Sequence, residues 1–352
     1  LRGRTSGKMG RMKIAQIAPC WIPVPPPGYG GIELVVGLLT DELVAMGHEV
    51  TLFASGGSKT DGRLVSYYEI PPGTAALVND SLAELPHVLN AYSMADEFDV
   101  IHDHTAPLGC SIGAHLTGSP VVHTIHGPLF DERAREIYGL IHERIALVTI
   151  SDFQRRGAPN LRFAGTVYNG IDVAAFPFQE SKSDYLLFVG RSSQEKGTHL
   201  AVQVARELGR RLVMALKIAE PEEHEYFETI VRPMLTDGVE VFTELNFEDK
   251  VRLYAGAACT LMPIQWPEPF GLVMTESMAC GTPVVALRNG SVPEVVDDGV
   301  TGFVRDDLEG FIGAVSRAGE IDPRVCRAAV EERFSAAAMA AGYEALYSSV
   351  TR

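Results

Sequence analysis

Short apolar runs alternate with longer stretches of helical period along almost the whole chain, and this alternation restricts the folds that the sequence can adopt. In the first half, the apolar runs predict buried strands and the periodic stretches predict helices between them. The strands are predicted at residues 12–18, 49–54, 99–102, 120–125 and 146–150, and the helices at 31–47, 81–98 and 131–145. A strand–helix–strand series of this kind favours a parallel sheet covered by helices.

The same alternation starts again near residue 184. Strands are predicted at 184–190, 211–218, 239–245, 259–264 and 282–287, and helices at 198–209, 222–235 and 248–257. The stretch before this series, 169–184, is rich in Gly, Pro and polar residues and indicates a linker, while 323–347 is predicted to be helical. The class is therefore α/β, with two doubly wound parallel-sheet domains whose strand ends face a central cleft, where such sheets bind ligands.

Length and charge agree with this architecture and exclude some functions. A chain of 352 residues suits two domains, and a net charge of -15 disfavours a general nucleic-acid or anionic-membrane surface. No apolar run reaches the roughly 18 residues of a membrane span. Residues 1–11 are basic and show no signal-peptide pattern. We expect a cytoplasmic protein with no transmembrane segment and five free cysteines, and leave peripheral membrane contact open.

Two glutamates eight residues apart, Glu268 and Glu276, flank a predicted transition from loop to helix. Prolines on both sides of Glu268 stiffen the loop, and Gly271 allows the backbone to approach a ligand closely. The helix that starts at Leu272 would direct its free N–H groups towards an anion. Taken alone, the same stretch also fits a buried strand–loop–helix unit with two solvated acids.

The segment from 266 to 285 resembles the E-x7-E signature of retaining glycosyltransferases with the GT-B architecture, most closely glycosyltransferase family 4. The resemblance implies that Glu268 contacts the donor sugar and Glu276 binds the ribose hydroxyls of a nucleoside-diphosphate sugar. It also implies domains at 12–170 (acceptor side) and 185–334 (donor side), a linker at 171–184, and a terminal helix at 335–352 that packs back on the first domain.

Arg191 and Lys196 follow the first strand of the second half. Exposed basic residues in a loop are usually solvated, but at a strand end facing a cleft a guanidinium and an ammonium can hold a diphosphate as its charge grows. Their spacing matches the family's R-x4-K pair, so they are predicted to bind the diphosphate. The resemblance implies a donor-binding set made of Gly30, Gly31, Arg191, Lys196, Glu268, Phe270, Gly271, Leu272 and Glu276.

The first strand leads into a glycine-containing turn before a helix. The turn departs from the dinucleotide fingerprint G-x-G-x-x-G because Glu33 occupies the last glycine position, which disfavours a dehydrogenase. Gly30, Gly31 and Glu33 instead resemble the family's G-G-x-E loop, whose backbone amides approach the donor diphosphate. Turn geometry alone would also explain the glycines, and Glu33 is placed on the acceptor side.

Histidines follow two first-domain strands. His102, Asp103 and His104 are disfavoured as a joint metal site because alternate residues of a strand point to opposite faces, and His102 is expected to be structural. His126 precedes Gly-Pro at a strand end and matches the family's histidine next to the donor sugar. His104 is a candidate acceptor-side residue.

Two further segments resemble family positions without adding a catalytic group. Residues 169–172 read Asn-Gly-Ile-Asp, like the segment that ends the first domain in the family, and a turn with a left-handed glycine would be sufficient there. Residues 242–246 lie where the family places the nucleotide base. Backbone contacts to a base leave little trace in a sequence, so the base is not predicted.

The resemblance implies a hexosyltransferase that moves sugar from a UDP- or GDP-sugar to an acceptor hydroxyl with retained anomeric configuration. The implied catalytic residues are His126, Glu268, Arg191 and Lys196. The implied mechanism is a front-face process, with no cofactor and no metal, since no D-x-D motif follows a first-domain strand. The alternatives are a sugar-nucleotide-binding protein without turnover and a nucleotide-dependent oxidoreductase. The acceptor and the oligomeric state are not predicted.

Overall fold

Seven strands of the first half form one parallel sheet. The computed structural model describes residues 10–28, 30–73, 81–243 and 245–351. The strands of this sheet are β1 (Lys13–Ile17), β2 (Glu49–Phe53), β3 (Arg63–Val65), β4 (Val100–Asp103), β5 (Val121–Ile125), β6 (Ala146–Thr149) and β7 (Phe163–Thr166). Their spatial order is β3-β2-β1-β4-β5-β6-β7, with parallel neighbours. The helices are α1 (Gly31–Ala45), α2 (Ser81–Tyr92), α3 (Pro107–Leu116), α4 (Glu132–Ile141) and α5 (Asp152–Arg156).

Six strands of the second half form another parallel sheet. They are β8 (Leu186–Arg191), β9 (Leu212–Lys217), β10 (Val239–Thr243), β11 (Cys259–Met262), β12 (Val284–Leu287) and β13 (Gly302–Arg305), in the order β10-β9-β8-β11-β12-β13. The helices are α6 (Thr198–Glu207), α7 (Pro221–Tyr226), α8 (Phe247–Gly256), α9 (Leu272–Ala279), α10 (Val292–Val295), α11 (Leu308–Ser316), α12 (Pro323–Arg333) and α13 (Ala336–Val350).

Both sheets are doubly wound about their first strand. The strand order reverses between β1 and β4 in the first sheet and between β8 and β11 in the second. The predicted class, α/β with two Rossmann-like parallel-sheet domains, is thereby confirmed. Open sheets of this kind bind ligands in the crevice where the order reverses. The segments that follow β1, β4, β8 and β11 therefore position the candidate site.

Central strands are buried on both faces because helices cover both sides of each sheet. Leu186, Leu187, Val284 and Val285, for example, are fully buried. Burial on both faces explains why the sequence shows continuous apolar runs rather than alternation. It also explains why the central strands were predictable from hydrophobicity alone.

Three strands that the sequence pattern did not predict all lie at sheet edges. β3 and β7 close the two sides of the first sheet, and β13 closes one side of the second. β3 and β7 are only partly buried, so their sequences lack an apolar run, whereas β13 is buried but has only two large apolar residues, Phe303 and Val304, between a glycine and an arginine. An edge strand pairs on one side only, which leaves a weaker hydrophobic signal.

The C-terminal stretch predicted to be helical at 323–347 consists of two helices, α12 and α13. α12 ends at Arg333, and Ser335 begins α13 by accepting a hydrogen bond from the Ala338 N–H on its side-chain oxygen (3.1 Å). α13 lies against the first domain, where Tyr343 and Tyr347 are buried with core residues of β1, β5 and β6. The predicted helix at 222–235 is also broken, into α7, a π-helical turn and a 3-10 turn.

The two chain crossings between the domains run side by side. The N–H of Ile171 donates to the carbonyl of Phe334, and the N–H of Ala336 donates to the carbonyl of Ile171, each at 2.9 Å. A Cβ at Gly170 would lie 2.6 Å from the carbonyl oxygen of Ser335. Gly170 therefore allows close backbone approach; the left-handed turn expected at this residue was wrong, because its φ is not positive.

Within the described residues, no helix combines the length and the apolar character that crossing a membrane requires.

Candidate active site

The basic pair of the second domain follows β8. Arg191 is the last residue of that strand, and Lys196 stands two residues before α6. Arg191 contacts Glu223 (3.4 Å) and Glu195 (3.7 Å), and about a third of its side chain is exposed. The guanidinium is thus held by two carboxylates at the end of β8.

Lys196 is paired with the first glutamate of the E-x7-E segment. Its ammonium makes a short ion pair with one carboxylate oxygen of Glu268, and the same oxygen accepts a hydrogen bond from the indole N–H of Trp266 (2.8 Å). The ammonium also lies 5.0 Å from the centre of the Trp266 ring, within cation–π distance. Two predicted site residues from different loops are thus in contact.

The second glutamate has a partner that the sequence did not reveal. Glu276, on α9, is buried and receives hydrogen bonds from the Lys250 ammonium on both carboxylate oxygens (3.0 and 3.1 Å). Lys250 belongs to α8, which the sequence placed correctly as a helix. A buried carboxylate requires a counter-charge, but only the packing of α8 on α9 identifies which cation supplies it.

The loop between the two acids adopts a conformation that depends on glycine. Gly271 has φ +83 and directly precedes α9. The next residue, Leu272, reaches the first domain: its Cδ1 would lie 3.7 Å from a Cβ at Gly31, and it packs against the first-domain core. The G-G-x-E loop and the start of α9 therefore lie against each other across the cleft.

Phe270 does not offer its side chain to a donor. The ring is buried and packs against Tyr168 and Phe334, and its carbonyl accepts a hydrogen bond from the Ser291 hydroxyl (2.8 Å). Because the ring and the carbonyl already have protein partners, the backbone N–H of Phe270 is the group left for the donor-binding role that the resemblance implies. Its side chain instead supports the loop that carries Glu268.

The first-domain loop after β1 supplies Gly30, Gly31 and Glu33 at the beginning of α1. Gly30 occupies the position before the helix in an extended conformation, and Gly31 is the first helical residue. Glu33 is buried in the first turn, and this burial raises the pKa of its carboxyl group. Its placement on the acceptor side stays a prediction.

His126 and His104 lie together at the ends of β5 and β4. Nε2 of His126 is 2.9 Å from Nδ1 of His104, and Nε2 of His104 is 2.9 Å from the side-chain oxygen of Gln16 on β1. Burial lowers the pKa of the His126 imidazole to about 3 and that of His104 well below its ordinary value. Both rings are neutral near pH 7, so they act through hydrogen bonds rather than charge.

His102 and Asp103 occupy opposite faces of β4. The ring centre of His102 lies 3.9 Å from that of His104. Asp103 accepts a hydrogen bond from the Tyr92 hydroxyl (2.7 Å) on the other side. Burial opposes ionisation of Asp103, but the contact with His123 and the hydrogen bonds from Thr105 and Tyr92 together outweigh it, and the pKa is lowered. In the described part of the chain, no group of three or more histidine, cysteine or acidic side chains is arranged to hold a metal ion.

The region implied for the nucleotide base lies at the end of β10. Phe242 and Phe247 expose 39% and 47% of their surface there, which leaves two aromatic faces open to a ligand. Glu244, within the same segment, lies outside the described residues. The ammonium of Lys250 is 5.5 Å from the centre of the Phe247 ring, so this aromatic group adjoins the Glu276 pair.

Two family models cover most of the chain. The model described as Glycosyltransferase Family 4 matches residues 29–175, and the model described as Glycosyl transferases group 1 matches residues 174–310. The boundary between the two matches coincides with the crossing near Ile171. Together they include the G-G-x-E loop, both histidine-bearing strand ends, the basic pair and the E-x7-E segment.

Similar proteins extend over nearly the full length. D-inositol 3-phosphate glycosyltransferase of Acidothermus cellulolyticus is 28% identical over 378 residues, covering 88% of this chain and 83% of its own. The crystal structure of a glycosyltransferase involved in avilamycin A biosynthesis is 26% identical with a TM-score of 0.72, covering 97% of this chain and 98% of its own. The Anabaena protein HepE, solved with UDP and glucose, is 21% identical with a TM-score of 0.75, covering 96% and 100%.

Proposed function

Because the chain belongs to the family 4 glycosyltransferases with the GT-B fold, we propose that it transfers a hexose-type sugar from a UDP- or GDP-sugar to an acceptor hydroxyl with retained anomeric configuration. The observation that carries this proposal is the pairing of Glu268 with Lys196 and of Glu276 with Lys250 at one end of the second sheet. A nucleoside-diphosphate sugar needs cations to bind its phosphates and hydrogen-bond acceptors to bind its hydroxyl groups. This edge of the sheet offers groups of each kind.

A uridine donor is supported by a similar protein rather than by a base contact. HepE shares the fold and is named in complex with UDP and glucose. The half-exposed ring of Phe247 lies next to the Glu276 pair, where it offers an apolar surface to a nucleoside. The choice between the two bases is left to the binding experiment below.

In the proposed reaction, the diphosphate takes the place of carboxylates as partner of the cations. Arg191 and Lys196 move their hydrogen bonds from Glu223 and Glu268 to phosphate oxygens. The freed Glu268 carboxylate then accepts hydrogen bonds from the sugar hydroxyls, and Glu276 accepts them from the ribose. Phosphate oxygens then replace carboxylate oxygens as partners of the two cations, and hydrogen bonds from the sugar hydroxyls satisfy the freed Glu268 carboxylate.

The proposed chemical step occurs on one face of the sugar. The bond between the anomeric carbon and the leaving phosphate oxygen breaks, that oxygen takes the acceptor's proton, and the acceptor oxygen forms the new bond on the same face. His126 lies beside the sugar and orients it. The protein then contributes mainly position and charge stabilisation, which together account for much of the rate acceleration in many enzymes.

We also propose that no divalent metal takes part. The cations Arg191 and Lys196 stand at the end of β8, where the leaving diphosphate gains charge. Turnover is expected to be the same with EDTA as without it. Loss of nearly all turnover on chelation, with recovery on adding Mg²⁺ or Mn²⁺, would overturn this part of the proposal.

The function is tested by donor binding followed by product analysis. Thermal shift with a panel of nucleotide sugars should identify the donor, since binding stabilises the fold by about 2.7 kcal/mol at a hundredfold excess over Kd. Release of nucleoside diphosphate is then measured with and without candidate acceptors, using Glu268→Gln as a matched control. Binding without release in the presence of any acceptor would favour the alternative, a sugar-nucleotide-binding protein.

Product stereochemistry tests the retaining mechanism. An axial donor bond should give an axial product bond, which the coupling of the anomeric proton reports in an NMR spectrum. An inverted product would contradict the proposed front-face step and would require a general base. The second alternative, a nucleotide-dependent oxidoreductase, is not retained, since the family assignment gives it no support and Glu33 replaces the last fingerprint glycine.

A further inference from the structure

An unbroken chain of side-chain hydrogen bonds connects the last helix of the protein to His126. The amide nitrogen of Gln16 lies 3.1 Å from the hydroxyl of Tyr347 on α13. The amide oxygen of Gln16 lies 2.9 Å from Nε2 of His104, and Nδ1 of His104 lies 2.9 Å from Nε2 of His126. Gln16, His104 and Tyr347 are all buried, so water does not compete for these bonds.

The orientation of the Gln16 amide determines where the protons lie. Its NH₂ group donates to Tyr347, so its oxygen accepts from Nε2–H of His104. A neutral imidazole carries one N–H, and burial keeps both histidines neutral, so Nδ1 of His104 is an acceptor. The proton between the rings therefore belongs to Nε2 of His126. Nδ1 of His126 carries a lone pair, and it makes no hydrogen bond within the described residues.

We propose that Gln16 and Tyr347 are positioning residues for His126, because they fix the tautomer in which Nδ1 accepts a hydrogen bond from a hydroxyl group of the donor sugar. The inference rests on the proposed function for the identity of that hydroxyl. The hydrogen-bond chain itself does not depend on it. Neither residue contacts the cleft through its own polar atoms; each acts through His104.

Tyr347 fixes the direction in which the hydrogen bonds of this network are donated. Its oxygen accepts from Gln16, and it shares a second hydrogen bond with Nδ1 of His102, 2.7 Å away. Without this hydroxyl the Gln16 amide has no acceptor for its NH₂ group on that side. A reversed amide would donate to Nε2 of His104, which would move the His104 proton to Nδ1. His126 would then have to accept at Nε2 and carry its own proton on Nδ1, where it could no longer accept from a sugar hydroxyl.

A second tyrosine on the same helix provides a matched control. Tyr343 is as buried as Tyr347, and its hydroxyl is 2.8 Å from Thr124 Oγ1, which in turn is 2.7 Å from Nε2 of His102. These hydrogen bonds reach Tyr347 through His102, on the side away from Gln16. They are not part of the hydrogen-bond chain between Gln16 and His126. Removing either hydroxyl deletes one buried polar atom from α13, but only one of them controls the Gln16 amide.

The test compares Tyr347→Phe with Tyr343→Phe in the full chain. Long-range proton–nitrogen NMR spectra report which ring nitrogen carries the proton, and His126→Asn identifies the His126 signals by their disappearance. For the wild type and Tyr343→Phe we expect the Nε2–H form of His126. For Tyr347→Phe we expect a shift to the Nδ1–H form and a fall in kcat on the order of ten- to a hundredfold, with KM for the donor unchanged.

The outcomes separate this inference from the proposed function. If the wild type shows no transfer, the proposed function fails, while the spectra alone still decide whether Tyr347 controls the His126 tautomer. The inference is overturned if Tyr347→Phe keeps the Nε2–H form, if its kcat equals that of the wild type, or if Tyr343→Phe loses the same turnover. Should Tyr347→Phe fold poorly, Gln16→Met is the second test. It replaces the amide by an apolar side chain of similar length, and it must disturb the His126 tautomer in the same way.

Discussion

The two sides of the cleft stabilise their buried polar groups in different ways. On the donor side, Lys196 and Lys250 are ion-paired with Glu268 and Glu276, and both lysines keep some exposure. On the histidine side, neutral rings are joined by hydrogen bonds to one another and to buried hydroxyl and amide groups, as at His104. The first arrangement can exchange its partners for a charged ligand. The second arrangement has no charged partner to exchange, so a change at the site either leaves it intact or disrupts it.

This difference suggests a division of labour. A diphosphate brings its own negative charge, so it can replace a carboxylate as the partner of a lysine or an arginine when the ion pair opens. A neutral network offers no such exchange, but it holds a ring in one orientation and one protonation state. We therefore expect substitutions on the donor side to change affinity, and substitutions on the histidine side to change turnover.

The largest effect is expected at His126. His126→Ala should lower kcat about a hundredfold, the size typical for loss of one preorganised polar group, while the Kd of nucleoside diphosphate stays the same. Steady-state kinetics and calorimetry measure the two quantities. The control is His115→Ala, an exposed histidine on α3. Weaker nucleotide binding by His126→Ala would break the proposed division.

The next effect concerns the basic pair. Arg191→Ala and Lys196→Ala should each weaken binding of nucleoside diphosphate by roughly 1.5 to 3 kcal/mol, as for a lost hydrogen bond to a charged group. Arg232→Ala, which removes an exposed cation paired with Glu228, is the control for net charge. Unchanged affinity in both variants, measured by calorimetry, would refute the diphosphate assignment.

A smaller effect is expected for the two glutamates, which should differ in the ligands whose affinity they change. Glu276→Ala should weaken binding of free nucleoside diphosphate and of the full donor alike, by about 1.5 kcal/mol, because the ribose is common to both. Glu268→Ala should weaken only the sugar-bearing donor. Calorimetry with both ligands on both variants makes the comparison. Equal losses for both ligands in both variants would contradict separate contacts to ribose and hexose.

The smallest effect is a change in how stability depends on pH. His126 has a pKa of about 3 in the folded chain and near 6.5 when unfolded, so the unfolded state binds more protons between these values. Stability that this group contributes is present above about pH 6.5 and is lost as the pH falls towards 3. The slope of the free energy of unfolding against pH should therefore be shallower in His126→Ala by up to about 1.4 kcal/mol per pH unit.

Urea unfolding at pH 7, 6 and 5 measures this slope. Burial also raises the pKa of Glu84 to about 7, which acts in the opposite direction. That group is present in both proteins and cancels in the comparison. Identical slopes for the wild type and His126→Ala would mean that the ring is not held neutral, and the contrast between the two sides of the cleft would be lost.

Much of the fold was accessible from the sequence because burial on both faces leaves a strong signal. The central strands β1, β8, β11 and β12 were predicted from apolar runs, and the helices between them from their period. The edge strands β3, β7 and β13 were not. The site was accessible only in part for the same reason: residues in spaced motifs, such as Arg191 and Lys196, could be predicted as candidates, whereas their contacts with the carboxylates that hold them could not.

The sequence by itself determined the wound α/β class, the two halves, and the residues whose chemistry suits a nucleotide sugar, because periodicity and motif spacing are local properties. Only the tertiary structure decided which groups meet. Lys250 reaches Glu276 because α8 packs on α9, and Tyr347 reaches Gln16 because α13 crosses back over 331 residues of sequence. Contacts of this kind depend on how elements pack, and the spacing of residues along the chain carries no record of them.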